Sequence, residues 1–404
     1  MEGVQPKKHM PKPVVGIICE YDPFHLGHRR QFELIRRQLP KARIVCLMSG
    51  CFTQRGMPAL HAPAVRARAA LQAGADLVLE LPCAFAVRDA EHFALGGVDI
   101  FTRLGFVTHL SFGAEDDLLL LQKGAELLEN PTGLFDMALR NALDQGCSFA
   151  AAQGRALAAC LGGDVWQKPN NILALCYLRA LLRLQSPLIP LPVRRDGDYH
   201  AQQLSQNRWP SATAVRSAFR DGDFEAADAA CGWSLPRSPV FQAERLDTLL
   251  LYKLRSMDAA QLSSLPDCTE GLENRLKACA MQAASYEELL SLLKTKRYAR
   301  ARLSRLCCHA LLEMTQPLLR QFPAPAYVRL LGLKKNAGEL TARLKESRIP
   351  VIAKAADGDL QHPLYQLDLR AYDLWALGAG LPAGLMLRQG VTVESKSHPE
   401  ANPT

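Results

Sequence analysis

The chain has 404 residues, of which 48% are hydrophobic and 22% charged, a balance typical of globular proteins of two or three domains. No apolar run approaches the ~20 residues that a membrane-spanning helix needs, so the sequence predicts no membrane partner. The net charge of +8 is a weak indication of a polyanionic partner. Residues 1–13 lack the apolar stretch of a secretory signal, and the twelve cysteines form no Cys-x-x-Cys pair, which favours free thiols in a cytoplasmic protein.

Strands and helices alternate through the first half of the chain. Apolar runs ending in turn residues predict strands over 14–20, 43–48, 76–81, 108–112 and 186–193. Helical patterns predict helices over 27–39, 63–73 and 90–104, and later over 172–184 and 212–220. This alternation predicts an α/β fold with a Rossmann-like parallel sheet. Ligands bind such sheets at the carboxyl ends of the strands, so one pocket is expected to collect the residues after strands one, two and four.

The second half has a different character. From about residue 221, Leu, Ala, Arg and Lys dominate and strand signals fade, with amphipathic helices predicted over 278–293 and 297–315. The sequence therefore predicts a catalytic α/β domain over 14–220 and a mainly α-helical, basic domain over 221–393. Residues 1–13 and 394–404 are expected to be loose tails.

Two histidines with a glycine between them follow the first predicted strand, in the stretch His25-Leu26-Gly27-His28. A glycine at a helix entrance lets a ligand approach the backbone, and the helix N-terminus favours phosphate. Imidazoles placed there can donate hydrogen bonds to phosphate oxygens. The alternative is that these are two ordinary loop histidines without a functional role. A zinc site would need a third ligand, which nothing at metal-ligand spacing supplies, so no metal site is predicted.

The His25-Leu26-Gly27-His28 stretch resembles the HxGH motif of the nucleotidylyltransferase superfamily, which implies ATP binding and attack on the α-phosphate with loss of pyrophosphate. Further stretches narrow the resemblance. They are Glu20-Tyr21-Asp22-Pro23-Phe24-His25, Met48-Ser49-Gly50 running into Phe52-Thr53-Gln54-Arg55-Gly56 as one stretch, residues 74–82, Phe112-Gly113-Ala114-Glu115, residues 169–173 and residues 211–216. In this order, from Val14 to about residue 355, they resemble the bacterial tRNA(Met) cytidine acetate ligase family.

The resemblance implies a reaction in two steps. Acetate and ATP, with Mg²⁺ on its phosphates, give acetyl-adenylate. The acetyl group then passes to N4 of the wobble cytidine of elongator tRNA(Met), forming N4-acetylcytidine. No obligate protein partner is evident, and the second step needs a base that the sequence does not identify.

The resemblance also assigns site residues. His25, His28 and Arg216 are expected to act in catalysis, and Gln54 and Arg55 to shape the acetate or cytidine end unless they form a plain surface turn. The residues expected to bind ATP are Ile18, Cys19, Glu20, Tyr21, Asp22, Pro23, Phe24, Gly27, Gly113, Asn170, Asn171, Arg194, Ser211 and Thr213. The choice between Asn170 and Asn171, and between Arg194 and Arg195, stays open. Ser211 also suits a helix N-cap, a role compatible with phosphate binding.

Three positions depart from the family pattern. Asp22 stands where the family usually has Asn, Met57 where it has Glu, and Ala114 where it has Ser. Asp22 would add negative charge near phosphate unless it is capped or paired with a cation.

The densest positive stretch lies between residues 294 and 305, with six cations and no acid. A solvated helix face usually mixes charges of both signs, so this bias indicates contact with tRNA phosphates, and an interleaved tyrosine could stack on a base. The residues predicted to bind tRNA are Lys294, Lys296, Arg297, Tyr298, Arg300 and Arg302.

Two other functions compete with the ligase. A small-molecule adenylyltransferase would explain the HxGH motif and the Ser-x-Thr-x-x-Arg stretch at 211–216, but not the basic second half. A non-catalytic RNA-binding protein would explain the charge, but not six motifs grouped at strand ends.

Overall fold

The computed structural model describes residues 12–194, 209–295 and 298–394. The strands in these ranges are β1 (Val14–Cys19), β2 (Arg43–Ser49), β3 (Leu77–Leu81), β4 (His109–Ala114), β5 (Ile189–Arg194), β6 (Val328–Lys334), β7 (Val351–Ile352) and β8 (Thr392–Glu394). They form one sheet in the order β5-β4-β1-β2-β3-β6-β7, and β8 also pairs with β6.

The helices surround this sheet. Those in the first part of the chain are α1 (Leu26–Gln38), α2 (Pro63–Ala73), α3 (Cys83–Ala86), α4 (Ala90–Leu104), α5 (Leu118–Glu129), α6 (Gly133–Asp144), α7 (Phe149–Leu161), α8 (Pro169–Arg183), α9 (Ala212–Arg220) and α10 (Phe224–Cys231). Those that follow are α11 (Glu244–Ser256), α12 (Ala259–Ser263), α13 (Leu272–Gln282), α14 (Tyr286–Leu293), α15 (Arg300–Leu312), α16 (Gln316–Gln321), α17 (Gly338–Leu344), α18 (Pro363–Gly378) and α19 (Leu385–Arg388).

The parallel part of the sheet confirms the predicted α/β class. β1 lies at its centre and pairs in parallel with β2 on one side and β4 on the other, and β5 extends the sheet beyond β4. The chain runs outward through β2 and β3, then returns to the other side of β1. The carboxyl ends of β1 and β4 therefore border the crevice where the strand order reverses, the usual ligand position in such sheets.

Several helices begin and end at the predicted residues, and local contacts explain their ends. α2 begins at Pro63 and is closed by Gly74, α4 is capped by the Asp89 side chain, and α9 is capped by Ser211. Each signal satisfies or removes backbone N–H groups that a helix start leaves without a partner, or lets the chain leave a helix with positive φ.

The prediction that strand signals fade after residue 221 is wrong at β6. β6 pairs antiparallel with β3 and extends the sheet beyond β3. A buried ion pair between Glu80 on β3 and Arg329 on β6, 2.7 Å apart, crosses this junction. α18 packs beneath it, and its Tyr372 hydroxyl donates to Glu80 at 2.9 Å. Residues of both halves thus share one core.

Helices α11 to α15, residues 244–312, form a unit that we call the helical cluster, with its own apolar core. The single helix predicted over 278–293 is instead two helices, because Ser285 caps α14 through the Glu288 N–H while the Glu288 side chain accepts the Ala284 N–H at 2.8 Å. This Ser-x-x-Glu pattern is a helix-start signal that the sequence reading missed. In the described residues, no helix is long and apolar enough to cross a membrane.

Candidate active site

The two histidines of the HxGH stretch cap the start of α1. The Nδ1 atom of His25 accepts the Gly27 N–H at 3.1 Å, and the Nδ1 atom of His28 accepts the His25 N–H at 3.3 Å. The rings stack with centroids 3.7 Å apart. Because each Nδ1 is an acceptor, a neutral ring carries its proton on Nε2, which can then donate to an oxyanion.

Aromatic rings hold His28 in place. The rings of Tyr21 and Phe24 lie 4.8 and 5.5 Å from it, and both side chains are buried. Phe24 and Pro23, two of the predicted ATP-binding residues, contribute here by packing, since neither lines the cavity described next. The bond between Asp22 and Pro23 is cis.

A cavity of about 500 Å³ lies at the carboxyl ends of β1, β2 and β4. Its size is that of a site for a nucleotide-sized ligand. The predicted site residues that line it are Ile18, Cys19, Glu20, Tyr21, Asp22, His28, Gln54, Arg55, Gly113, Asn170, Ser211, Thr213 and Arg216. The prediction that one pocket collects the ends of strands one, two and four is therefore confirmed for His28, Gln54, Arg55 and Gly113.

Asp22 has both of the partners that its charge requires. Its Oδ1 accepts the Leu60 N–H at 2.7 Å, and its Oδ2 lies 3.5 Å from the Arg216 guanidinium. Arg216 also donates to the Asp22 carbonyl and, at 3.3 Å, to the Thr213 hydroxyl. The carboxylate therefore fixes the cation at the cavity wall.

α9 presents a polar face to the cavity. Ser211 accepts the Ala214 N–H at 3.1 Å, as its predicted N-cap role requires. Thr213, Arg216 and Arg220 follow on the same face, and all three line the cavity. Sequence reasoning missed Arg220, although its spacing of four residues from Arg216 was the available signal.

The structure gives Asn170 and Asn171 different roles. Asn171 is 0% exposed, and its side chain accepts the Glu115 N–H and donates to Asp116 and the Val165 carbonyl. Asn170 lines the cavity and donates to the Glu115 carboxylate at 2.8 Å. Asn170 is thus the one placed to meet a ligand, while Asn171 joins α8 to the end of β4.

Glu20 and its neighbours build the wall toward β2. A Glu20 carboxylate oxygen accepts the Gln54 N–H at 2.5 Å, and the Gln54 side chain donates to the Arg88 carbonyl at 2.8 Å. Burial raises the pKa of the Glu20 carboxyl, against the lowering effect of the Gln54 N–H, Arg55 and Arg216. Both predicted rim residues are therefore part of a fixed turn beside a perturbed carboxyl.

Arg66 is a buried residue that holds the site together through hydrogen bonds, and the sequence did not reveal this role. It is 1% exposed and donates to the carbonyls of Glu20, Ser49, Gly50 and His61. These bonds join the carboxyl ends of β1 and β2. Its only sequence signal was its place on the apolar face of α2.

The comparisons with known proteins agree with this geometry. A family model described as HIGH nucleotidyl transferase matches residues 12–382. A tRNA(Met) cytidine acetate ligase of Clostridium perfringens strain SM101 is 34% identical, over 90% of this chain and 94% of the relative. One of Acetivibrio thermocellus is 33% identical, over 85% of this chain and 88% of the relative.

The chain belongs to the tRNA(Met) cytidine acetate ligase family.

Solved structures support the same assignment. Thermotoga maritima TmcAL in an apo form aligns with a TM-score of 0.85 and 27% identity, covering 95% of this chain and 100% of that one. The same protein bound with alpha-thio ATP aligns with a TM-score of 0.81 and 29% identity, covering 93% and 96%. The family resemblance indicated by the ordered motifs is thus confirmed.

A second departure from the family pattern, Met57, also has a structural partner. Met57 lies in the turn over residues 53–57, where its sulfur accepts the Tyr286 hydroxyl at 3.1 Å. A Cβ on Gly56 would come within 2.7 Å of the Arg305 backbone, so this turn packs tightly on α15. The cavity rim and the helical cluster are therefore in direct contact.

The basic stretch differs from its sequence interpretation. Tyr298 is 7% exposed and packs in the core of the helical cluster, so the prediction that it stacks on a base is wrong for this structure. Arg302 donates to the Asp267 carbonyl and the Thr269 hydroxyl, and Lys294 donates to the Tyr298 carbonyl. These bonds tie both cations to the polypeptide, while Lys294 remains an exposed residue.

Arg300 stays accessible. Its side chain is 53% exposed and pairs with Glu287, whose side chain is 69% exposed. Lys296 and Arg297 lie outside the described residues. Arg194 ends β5, exposed, just before the undescribed 195–208, which include Arg195, and it does not line the cavity.

Proposed function

We propose that this chain activates acetate with ATP and transfers the acetyl group to N4 of the wobble cytidine of elongator tRNA(Met). The product is N4-acetylcytidine, and the reaction belongs to the cytoplasm, where tRNA and ATP are. One observation carries the proposal. A single cavity has phosphate-binding groups on one wall, and on another a turn that packs against the helical cluster.

The first step joins acetate to the nucleotide. An acetate oxygen attacks the α-phosphorus of ATP, the bond to pyrophosphate breaks, and acetyl-adenylate forms. Acetate is already ionised at neutral pH, so this step needs positioning and charge compensation rather than a base. The Nε2–H group of His28 and the guanidinium of Arg216 supply donors for the phosphates, and Arg220 extends the set toward the leaving pyrophosphate. His25, which is buried and does not line the cavity, acts through His28, on which its ring stacks.

Magnesium would come with ATP. Among the described residues, no group of three or more His, Cys, Asp or Glu side chains could hold a metal ion. Mg²⁺ is commonly carried by substrate phosphates and water, and it neutralises phosphate charge when bound. The residues named here act on the phosphates in addition to it.

The second step brings in tRNA. The turn with Gln54 and Arg55 forms the rim of the cavity and contacts α15. A tRNA bound along the helical cluster would therefore reach the acetyl group across this rim. The proposal assigns the basic stretch of 294–302 to this contact, with Lys294 and Arg300 as exposed described cations.

Two assays test the proposal in sequence. Acetate-dependent exchange of pyrophosphate into ATP should be observed without tRNA. After addition of elongator tRNA(Met), nuclease digestion and mass spectrometry should detect N4-acetylcytidine, and a transcript with uridine at the wobble position should yield none. Exchange that requires a nucleotide monophosphate instead of acetate would contradict the proposal.

Arg216 provides the sharpest variant. Arg216→Ala is expected to lower acetate-dependent exchange by ~10²–10³-fold, the usual cost of losing one preorganised oxyanion donor. Arg140→Ala, on the exposed side of α6, removes the same charge away from the cavity and should leave exchange unchanged. Equal exchange rates for the two variants would remove Arg216 from the site.

A further inference from the structure

The acetyl-transfer step needs a proton acceptor. The exocyclic N4 amine of cytidine is a weak nucleophile because its lone pair is delocalised into the ring, and it must lose a proton as the amide forms. Accepting that proton in the transition state is the task of a general base within hydrogen-bond reach. The inference below rests on the proposed function.

Most titratable groups of the cavity are committed to other roles. The Nδ1 atom of His28 already accepts the His25 N–H, so its neutral ring offers a proton rather than taking one. The two oxygens of Asp22 are occupied by the Leu60 N–H and by Arg216. Neither group is arranged to receive a proton from a ligand.

Two other groups are held protonated. Burial raises the pKa of the Cys19 thiol and of the Tyr21 phenol well above their usual range. A thiol or phenol that keeps its proton at neutral pH does not act as a base.

Glu20 differs from all of these. Its Oε1 accepts the Gln54 N–H at 2.5 Å, while its Oε2 accepts no hydrogen bond from the described residues. Burial has the largest effect on the pKa of Glu20 and raises it. Of the charged groups that face it, Asp22 also raises the pKa, whereas Arg55 and Arg216 lower it. Arg66 donates to its backbone carbonyl and so fixes the end of β1.

The position of Glu20 suits the acceptor rather than the phosphates. Its carboxylate is bonded to the turn over 53–57, and that turn packs on α15 of the helical cluster. Glu20 thus lies beside the cavity wall that carries Gln54 and Arg55, at the rim from which a cytidine would enter.

We propose that Glu20 is the general base of acetyl transfer. The N4 lone pair attacks the acetyl carbon of acetyl-adenylate, and a nitrogen–carbon bond forms. The bond from that carbon to the phosphate oxygen breaks, and AMP leaves with the electron pair. The N4 proton passes to Oε2 of Glu20, which later releases it to water.

Glu20→Gln is the matched test, because the amide oxygen can still accept the Gln54 N–H while the basic oxygen is lost. Single-turnover acetyl transfer to tRNA should fall ~10²–10⁴-fold relative to acetate-dependent pyrophosphate exchange by the same variant. Hydroxylamine, which captures acetyl-adenylate without a base, should still yield acetohydroxamate. Glu20→Asp should recover part of the transfer rate. Glu33→Gln, an exposed carboxylate on α1, is the control and should change neither step.

Three outcomes decide the inference. Transfer by Glu20→Gln at the wild-type rate would overturn it, since the departing phosphate would then take the proton. Equal loss of exchange and transfer would also overturn it, because Glu20 would act in activation or positioning. A wild-type protein without acetate-dependent exchange or without N4-acetylcytidine would instead contradict the proposed function itself.

A wild-type measurement covers the case in which the variant does not fold. The single-turnover transfer rate should rise with pH to a plateau, with an apparent pKa above that of an ordinary glutamate, and pyrophosphate exchange should lack this limb. A transfer rate without the acidic limb would overturn the assignment of Glu20.

Discussion

At the scale of single residues, Asp22 explains how the site tolerates a carboxylate where the family usually has Asn. Its Oδ1 caps the Leu60 N–H and its Oδ2 pairs with Arg216. The sequence indicated that the charge needed a cap or a cation, and the structure supplies both. Only the tertiary fold brings residues 22, 60 and 216 together.

Asp22→Asn is expected to leave the protein folded and able to activate acetate, because an amide oxygen can still accept the Leu60 N–H. Asp22→Ala should lower the free energy of unfolding by about 1–3 kcal/mol, since it leaves a buried N–H without a partner. Urea denaturation and pyrophosphate exchange measure the two effects. Equal destabilisation by Asn and Ala would show that the ion pair, not the cap, is the stabilising contact.

The adjacent asparagines show how neighbouring residues of one motif divide their roles. The Asn171 side chain forms hydrogen bonds with Glu115, Asp116 and Val165, whereas Asn170 lies at the cavity. Because an α-helix rotates by ~100° per residue, neighbouring side chains on α8 point in different directions, which the motif itself does not reveal.

Asn171→Ala should lower the free energy of unfolding by about 1–3 kcal/mol through the lost buried hydrogen bonds. Asn170→Ala should instead raise the KM for ATP and change stability little, because its side chain faces the cavity. Chemical denaturation together with exchange kinetics distinguishes the two. A reversed pattern would mean that Asn171 contacts the nucleotide.

At the scale of elements, the basic stretch before and within α15 shows why charge density along a sequence overstates a binding surface. No acid lies among residues 294–305, yet Glu287 and Asp267 approach from other segments and pair with Arg300 and Arg305. The Tyr298 side chain points inward, because its ring packs in the apolar core of the helical cluster. Contacts of this kind are invisible to local sequence.

Arg300→Gln is expected to weaken tRNA binding and to make the slope of log affinity against log salt shallower by about 1, as for one lost phosphate contact. The exposed pair with Glu287 is weak enough to be exchanged for a phosphate. Filter binding at several salt concentrations measures the slope. Tyr298→Phe is the control and should leave affinity unchanged, since its ring is buried. Unchanged affinity for Arg300→Gln at every salt concentration would contradict this contact.

At the scale of the whole molecule, the C-terminal part completes the sheet that the N-terminal part begins. β6 covers the edge of β3, and Trp375 on α18 donates to the Ala59 carbonyl at 2.7 Å from a fully buried position. The Glu80–Arg329 pair is almost wholly buried, and a buried charge that loses its partner is strongly destabilising. The predicted boundary at residue 220 therefore separates segments that share one core.

A fragment of residues 12–220 should not unfold cooperatively, because it exposes the β3 edge, the apolar face under α18 and the unpaired Glu80. A fragment of residues 12–394, which lacks only residues that belong to the predicted tails, should unfold like the full chain. Thermal unfolding followed by circular dichroism compares them. Cooperative unfolding of the shorter fragment at the midpoint of the full chain would show an independent domain.

The sequence by itself determined the features that depend on near neighbours. Apolar runs ending in turn residues located β1 to β4, the N-cap at Ser211 located a helix start, and the HxGH stretch located the end of the sheet where the cavity lies. Tertiary structure decided the rest: that β6 returns to β3, that Arg66 joins two strand ends, that Tyr298 is core and that Glu20 lines the cavity with one carboxylate oxygen bonded to Gln54. The physical reason is that caps and periodicity act within a few residues, whereas burial and ion pairing depend on segments that meet only after folding.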